Sequence, residues 1–222
     1  EEDDFFKLKK DKKDSLRLYN SIDKNDFIIG FVFRNQLRKS VPNLIKGFKQ
    51  FKSENPSSRA KLLLHTHLKE GWDIRNLIEE NNINPKDVLF TYICEDCLSY
   101  EVRPFINSDC ECKSCGAKNS LDTVSVAKGV TEHQLNEIYN CGEEMCEPEA
   151  HSLALEWDEF REIGTNFRKA NTKPESIATQ LEKVYKMSPK TRSEIGAKAR
   201  EWTIENFSIS RIGLTLESFI DN

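Results

Sequence analysis

The sequence predicts an α/β domain, in which a parallel sheet with flanking helices is interrupted by a small zinc ribbon. Three short apolar runs, residues 27–33, 61–64 and 88–90, alternate with segments of helical periodicity. That alternation is the pattern of a right-handed βαβαβ unit. Two Cys-x-x-Cys pairs follow the third run. With 222 residues, the chain is long enough for one large domain or two small ones.

Composition excludes several classes of protein. Lys and Arg number 33 and Asp and Glu number 37, so the formal charge is −4. This charge excludes a strongly basic nucleic-acid binder that acts through bulk charge. Hydrophobic residues at 37% and charged residues at 32% are typical of a soluble globular protein. No apolar run approaches the roughly 18 residues of a membrane span, and the acidic residues 1–4 are not the start of a secretory signal peptide.

The first half of the chain is expected to form the sheet. Residues 1–26 mix charges without an apolar period, so we expect an extended lead-in with a short helix over 14–21. The run 27–33 is apolar throughout, as in a strand that is covered on both faces. Pro42 suits the first turn of the helix that follows, and Ile74 belongs to a second helix.

The last third of the chain is predicted to be helical. Thr131 and Gln134 fit a capping box at the start of one helix, and further helices are expected from about Pro174, from Pro189 and near Ile212. The predicted organisation is a lead-in of residues 1–26 and an α/β domain of residues 27–222. That domain carries a zinc-knuckle insertion at residues 93–119.

Most of the seven cysteines cluster in two Cys-x-x-Cys pairs, Cys94 with Cys97 and Cys112 with Cys115. Fourteen residues separate the pairs, and two such turns can aim four thiolates at one ion. The spacing predicts one structural Zn²⁺, because four thiolates leave no open position for a substrate. It also favours a reducing compartment over a disulfide framework. The alternative is a set of buried or oxidisable thiols, and a fifth cysteine, Cys110, is expected to stay free.

A basic turn follows the first strand and contains Arg34, Asn35 and Lys39. In open α/β sheets, ligands bind beyond the carboxyl ends of the strands. Cations placed there, beside the N-terminus of a helix, can bind phosphate groups. The alternative is a solvated turn. Lys39 favours the binding site, because a helix dipole disfavours a cation at this end unless an anion accompanies it.

These residues carry a resemblance to a known family. The stretch "IIGFVFRNQLRKSVPNLIKGFKQF" resembles the start of the C-terminal, Rossmann-like domain of retaining GT-B glycosyltransferases of group 1. The resemblance implies that Arg34 and Lys39, with Asn35 beside them, bind the diphosphate of a nucleotide-sugar donor. Phe33 and Ser40 replace glycines of the family pattern. The segments "KLLLHTH", "VLFTY", "GVTEHQLNEIYN" and the helical tail continue the likeness over about four-fifths of the chain. The zinc knuckles resemble an insertion in glycosyltransferase-like proteins of large bacteriophages.

The strongest motif of that family, two glutamates eight positions apart in the donor loop, is not in place. After Asn140 the family pattern has a strand, the donor loop, a helix and another strand, whereas this chain continues directly with Cys141. Two explanations stay open. Either the protein is a binding module without the donor loop, or roughly thirty residues belong between 140 and 141, the length of one crossover unit. Glu143 and Glu144 are candidate neighbours of the donor pocket, and solvated loop acids otherwise.

The resemblance implies a retaining glycosyltransferase, of the hexosyltransferase type, that uses a nucleotide-diphosphate sugar as donor and has an N-terminal acceptor-binding domain outside these residues. We expect it in the cytoplasm, or in the host cytoplasm if its source is viral, with no membrane span and no nucleic acid as partner. The alternative is a non-enzymatic zinc-ribbon interaction module, associated with a virion or with nucleic acid, on a Rossmann-like scaffold.

Overall fold

The computed structural model describes residues 7–68, 70–105, 110–125, 127–142 and 153–220. Helices and strands alternate in the first half of the chain, and helices dominate after residue 173. In chain order the elements are α1 (Lys10–Tyr19), β1 (Phe27–Val32), α2 (Val41–Glu54), β2 (Ala60–His65), α3 (Ile74–Glu80), β3 (Val88–Cys94), β4 (Tyr100–Arg103), β5 (Leu121–Thr123), α4 (Glu132–Cys141), β6 (Trp157–Arg161), β7 (Arg168–Thr172), α5 (Pro174–Lys186), α6 (Pro189–Phe207) and α7 (Ile209–Ile220).

The main sheet is mostly parallel, as the three apolar runs predicted. Strands β1, β2 and β3 lie side by side in that order and run in one direction, with Phe27 opposite Ala60 and Leu62 opposite Val88. Two short strands of the cysteine-rich insertion, β4 and β5, add to β3 in the antiparallel sense. The sheet is therefore mixed at the insertion, and these two strands were not predicted from the sequence.

Helices cover both faces of the sheet. On one face, α2, α3 and α5 bury a cluster that includes Phe48, Phe51 and Ile78 against Leu62 and Phe90. On the other face, the helices α1 and α4 pack on alternate residues of the same strands. Because side chains alternate across a strand, a wholly apolar strand fits between two helical layers. The architecture is a three-layer α/β arrangement.

The lead-in is helical and packs on the domain. Helix α1 begins four residues before the predicted helix, and Arg17 and Asn20 near its end are buried. The Asn20 side chain accepts a hydrogen bond of 2.7 Å from the Val102 N–H of β4. The backbone of β4 is thereby tied to the end of α1.

The capping box at the start of α4 is confirmed, because Thr131 and Gln134 exchange side-chain and backbone hydrogen bonds in both directions. The hairpin of β6 and β7 was not predicted. Its strands form a separate two-stranded sheet, and β6 is exposed along its whole length. Helix α4 continues through Asn140 and Cys141, and extra residues at that junction stay a prediction.

Candidate metal centre and carboxyl edge of the sheet

The four predicted cysteine ligands come together at one point. The Sγ atoms of Cys94, Cys97, Cys112 and Cys115 all lie within 4.8 Å of one another. Two of the separations, Cys94 to Cys115 and Cys97 to Cys112, are 3.7 Å. Four sulfurs at about 2.3 Å from a tetrahedral Zn²⁺ would be about 3.8 Å apart, and a disulfide would require about 2.05 Å. The residues present therefore fit a tetrahedral metal ion.

Hydroxyl groups beside the sulfurs favour the thiolate form that binds metal. Burial opposes ionisation of Cys94, but the Ser120 hydroxyl, at 3.2 Å, and backbone N–H groups outweigh it and lower the pKa of Cys94 to about 6. The Ser99 hydroxyl lies 3.0 Å from the sulfur of Cys97 and lowers the pKa of that thiol. These contacts are the outer support that metal-binding thiolates commonly receive.

Without a cation, the cluster cannot hold four thiolates together. A backbone hydrogen bond from Ala117 favours the Cys115 thiolate. The sulfur of Cys97 and the other neighbouring thiols, together with burial, outweigh it and raise the pKa of Cys115 to about 12. A divalent ion would remove this repulsion, which is why metal binding releases protons from such sites.

The two knuckles have the same backbone form. Leu98 follows the first pair with φ of 58°, and Gly116 follows the second with φ of 74°. The N–H of Leu98 donates to the Cys94 carbonyl at 3.0 Å, and that of Gly116 to the Cys112 carbonyl at 2.8 Å. Glycine adopts this left-handed conformation freely, whereas leucine does so at a cost.

A buried carboxylate holds the second knuckle against the domain. The side chain of Glu101, on β4, is fully buried, pairs with Arg103 and accepts a hydrogen bond of 2.6 Å from the backbone N–H of Lys113. The ammonium group of Lys113 donates to the Tyr19 carbonyl at 2.7 Å. Residues between the paired cysteines are therefore fixed both to the sheet and to α1. Glu101 carried no signal in the sequence, because its neighbours on β4 resemble those of a solvated strand.

The predicted phosphate-binding residues lie in the loop between β1 and α2, at the carboxyl edge of the parallel strands. A short 3₁₀ turn spans Leu37–Lys39, and α2 begins at Val41. Ser40, between them, has φ of 47°, the left-handed conformation that favours glycine. The turn therefore brings Lys39 to the N-terminal end of α2, as the sequence predicted.

Arg34 and Lys39 differ in their partners. The Arg34 side chain is 58% exposed and its Nε lies 3.2 Å from Glu70 Oε2. Lys39 lines an apolar groove beside β1, and its ammonium group has no hydrogen-bond or ion-pair partner among the residues that the structure describes. Both cations are therefore available to an anion. Arg34 can bind one by giving up its contact with the exposed carboxylate of Glu70.

Asn35 is buried and holds two loops together. Its Nδ2 donates to the Trp72 carbonyl at 2.9 Å, and its Oδ1 accepts from the Trp72 N–H at 3.0 Å. The indole N–H of Trp72 donates to the Leu37 carbonyl at 3.1 Å. Both ends of the Asn35 amide are thus used within the protein, so it positions the loop. Direct contact of Asn35 with a donor stays a prediction.

One polar residue at this edge was missed by the sequence reasoning. The Oδ1 of Asn171, on β7, accepts from the Ser40 hydroxyl at 2.9 Å and from Asn43 Nδ2 at 2.8 Å. An amide carbonyl therefore lies beside the N-terminal end of α2, supplied by a strand far along the chain. Glu143 and Glu144, the predicted neighbours of the donor pocket, lie outside the described residues.

Two comparisons, with protein-family models and with curated proteins, found no match. In the part of the chain that the structure describes, no helix is both long enough and apolar enough to span a bilayer. What supports a function is therefore the geometry of the two sites.

Proposed function

We propose that this chain binds a nucleotide-diphosphate sugar at the carboxyl end of β1 and is the donor-binding part of a retaining glycosyltransferase. The observation that carries the proposal is the pair Arg34 and Lys39, which flank the N-terminal end of α2 beyond a parallel strand. Ligands of open α/β sheets bind at this position, and helix N-termini attract phosphate groups. The resemblance of residues 28–51 to the group-1 glycosyltransferases supports the same assignment.

The chemistry needs positive charge where the leaving group departs. When the bond between the sugar and the diphosphate breaks, negative charge accumulates on the nucleoside diphosphate. Two cations and a helix dipole at that point would stabilise this charge more than they stabilise the bound donor. Arg34 would exchange Glu70 for a phosphate oxygen, and Lys39 would gain an anionic partner that the described residues do not provide.

Calorimetric titration with UDP-glucose, GDP-mannose and the free diphosphates UDP and GDP tests this proposal. Arg34→Ala and Lys39→Ala are each expected to weaken binding at least tenfold, since a charged hydrogen bond contributes about 1.5–3 kcal/mol. Arg38→Ala is the matched control, because Arg38 lies in the same turn and its Nε bonds Gln36. Failure of all four nucleotides to bind, or an equal loss in Arg38→Ala, contradicts the assignment.

We also propose that Cys94, Cys97, Cys112 and Cys115 hold one structural Zn²⁺. The 3.7 Å sulfur separations support a tetrahedral site. Elemental analysis of reduced protein should find about one zinc per chain, and Cys97→Ser should lose it. Cys110→Ser is the control, since Cys110 lies outside the cluster. Metal-free protein after purification under reducing conditions, or loss of zinc in the control, argues against the site.

The second candidate is an interaction module whose binding surface is the zinc ribbon. The observation that favours it is exposure, because Leu98 at the tip of the first knuckle is 69% exposed. The sequence also lacks the glutamate pair that the glycosyltransferase family carries in its donor loop, which favours a binding role over catalysis. This candidate replaces the first if no sugar nucleotide binds and if Leu98→Ser abolishes association with a protein or nucleic-acid partner. An unchanged association in Leu98→Ser excludes it.

A further inference from the structure

The hairpin of β6 and β7 reaches the proposed phosphate site through one side chain. Helix α5, which follows the hairpin, packs along α2. Just before α5, the Thr172 carbonyl accepts from Asn43 Nδ2 at 2.6 Å, and one residue earlier Asn171 Oδ1 lies 2.9 Å from Ser40 Oγ. Going back along the chain from α5, the residues therefore follow α2 to its N-terminal end. Asn171 lies at that end, beside the turn that carries Lys39.

Hydrogen bonds determine which way the two amide groups face. A backbone carbonyl can only accept, so the Asn43 atom that lies 2.6 Å from the Thr172 carbonyl must be the amide nitrogen. The same nitrogen lies 2.8 Å from the Asn171 side chain, so the Asn171 atom on that side must be the amide oxygen. That oxygen also accepts from the Ser40 hydroxyl. The amide nitrogen of Asn171 is therefore turned away from all three partners.

The Asn171 nitrogen keeps two N–H groups that no described residue accepts. Asn171 is exposed, and its side-chain bonds to α2 both use the oxygen. Lys39, which precedes Ser40, is also exposed and has no partner among the described residues. No side chain caps α2 at this end. An amide donor, a cation and an uncapped helix N-terminus thus lie together, and each of them attracts an anion.

An acidic residue on the same face of the hairpin is already paired with a cation. Asp158 of β6 lies directly opposite Asn171, and side chains that are directly opposite in an antiparallel pair share one face. The Asp158 carboxylate lies 3.3 Å from Lys173 Nζ. Lys173 therefore offsets the charge of Asp158, which repels a phosphate group less than an unpaired acid would.

We propose that Asn171 is a further phosphate-binding residue, and that its Nδ2 donates to an oxygen of the diphosphate that Arg34 and Lys39 bind. The inference rests on the proposed function and deepens it, because it makes the hairpin of β6 and β7 part of the donor site. The two ends of one amide then have separate roles. The oxygen holds the hairpin to α2, and the nitrogen binds the ligand. A carboxylate could replace only the oxygen, since it has no N–H to donate and repels phosphate.

The test is calorimetric titration with UDP and with inorganic pyrophosphate, in a buffer without divalent metal ions. Asn171→Asp keeps the oxygen that α2 requires and exchanges the nitrogen for a second oxygen. Its melting temperature should be unchanged or higher, because a carboxylate is favourable beside a helix N-terminus. Its binding should be weakened more than tenfold, through the loss of a donor to a charged group and the addition of a like charge.

Asn171→Ala separates a binding role from a structural one. This variant loses both ends of the amide but adds no charge, so it should bind UDP less tightly than the parent protein and more tightly than Asn171→Asp. A purely structural role predicts the opposite order, because Asn171→Asp keeps the contacts with Ser40 and Asn43 and the alanine does not. Parent-like binding in Asn171→Asp therefore overturns the proposal.

Asp158→Asn is the matched control, because it makes the reverse exchange at the position opposite Asn171. It removes a negative charge from the same face of the hairpin and should bind UDP at least as tightly as the parent protein. Equal losses in Asp158→Asn and Asn171→Asp would show that any change in the hairpin disturbs the site, and they overturn the specific role of Asn171.

The outcomes distinguish this inference from the proposed function. If Arg34→Ala and Lys39→Ala weaken UDP binding but Asn171→Asp does not, the donor site stands and the role of Asn171 is wrong. If pyrophosphate binds in an Asn171-dependent way but no sugar nucleotide does, the phosphate site stands and the glycosyltransferase assignment is wrong. If neither UDP nor pyrophosphate binds, both are wrong.

Discussion

Replacing Glu101 by glutamine is expected to destabilise the protein through the loss of one buried charge. The Glu101 side chain is fully buried, and its partner Arg103 is 16% exposed. Breaking a buried ion pair by removing one partner costs about 3–5 kcal/mol, because the other charge is left without compensation. The amide of the introduced glutamine would still accept from the Lys113 N–H, and Arg103 keeps its bond to the Glu111 carbonyl at 3.0 Å. We therefore expect a loss of about 2–3 kcal/mol in the free energy of unfolding.

The measurement is urea denaturation of the zinc-loaded protein, with the slope m compared between variants to confirm that the same surface unfolds. Glu111→Gln is the matched control, because the Glu111 and Lys118 side chains are 56% and 74% exposed. An exposed pair is worth about 0–1 kcal/mol, so this control should differ little from the parent protein. Combining Glu101→Gln with Arg103→Met should cost less than Glu101→Gln alone, since no charge is then left buried and the introduced amide still accepts from the Lys113 N–H.

The reasoning is refuted if Glu101→Gln changes the free energy of unfolding no more than Glu111→Gln does. Zinc affinity provides a second readout. Because Lys113 lies between the two cysteines of the second knuckle, exchanging the carboxylate that accepts from its N–H for a weaker, neutral amide should weaken zinc binding as well as folding. If the variant unfolds at a lower urea concentration but binds zinc as tightly as the parent protein, Glu101 stabilises the sheet and does not support the metal site.

Three further changes test the packing, the knuckle turn and the half-buried histidine His65. A Cβ at Gly47 would meet Ile177 at 2.7 Å, so Gly47→Ala should destabilise by about 1–3 kcal/mol in urea denaturation; Gly213→Ala, in open space, should be neutral or stabilising. Leu98→Gly should stabilise the zinc-loaded protein by about 0.5–1 kcal/mol, because φ at Leu98 is 58°, and a loss instead would show that the leucine side chain contributes. Burial lowers the pKa of His65 from 6.5 to about 4, so the unfolded chain binds more protons between these values. Stability should therefore fall by up to about 3 kcal/mol as the pH falls from about 6.5 to 4, and His65→Asn should flatten that fall.

The central elements could be predicted because their signals are local. The apolar run of β1 predicts a strand, and Pro42 predicts the start of α2, each from only a few consecutive residues. Thr131 and Gln134 do the same for the start of α4. The Cys-x-x-Cys pairs likewise specify their own turns, so the four cysteines predicted to bind a metal come together as expected.

The elements that were missed depend on partners far along the chain. In the sequence, Glu101 next to Tyr100 is typical of a strand with one face in solvent, where the charged residue is exposed. Its burial is possible because the Lys113 N–H and Arg103 both bind its carboxylate. The bonds between the Asn35 amide and the main chain of Trp72 were likewise not predicted, and contact of Asn35 with a donor stays a prediction. The hairpin of β6 and β7 has no apolar face toward the core, so its sequence carries no strand period.

The ribbon also determines which part of the carboxyl edge a ligand can reach. Tyr92 and Ile93 of β3 pair with both β4 and β5, and since a strand has only two edges, β5 must lie on the edge that β2 occupies earlier. Strand β5 therefore continues the line of β2 beyond His65, and the Leu68 N–H lies 3.4 Å from the Thr123 hydroxyl. The insertion covers the end of β2, whereas Arg34, just beyond the end of β1, is exposed. Arg34 and Lys39 lie beyond the end of the first strand, so the cysteine-rich insertion would leave that end to the anionic ligand that we propose.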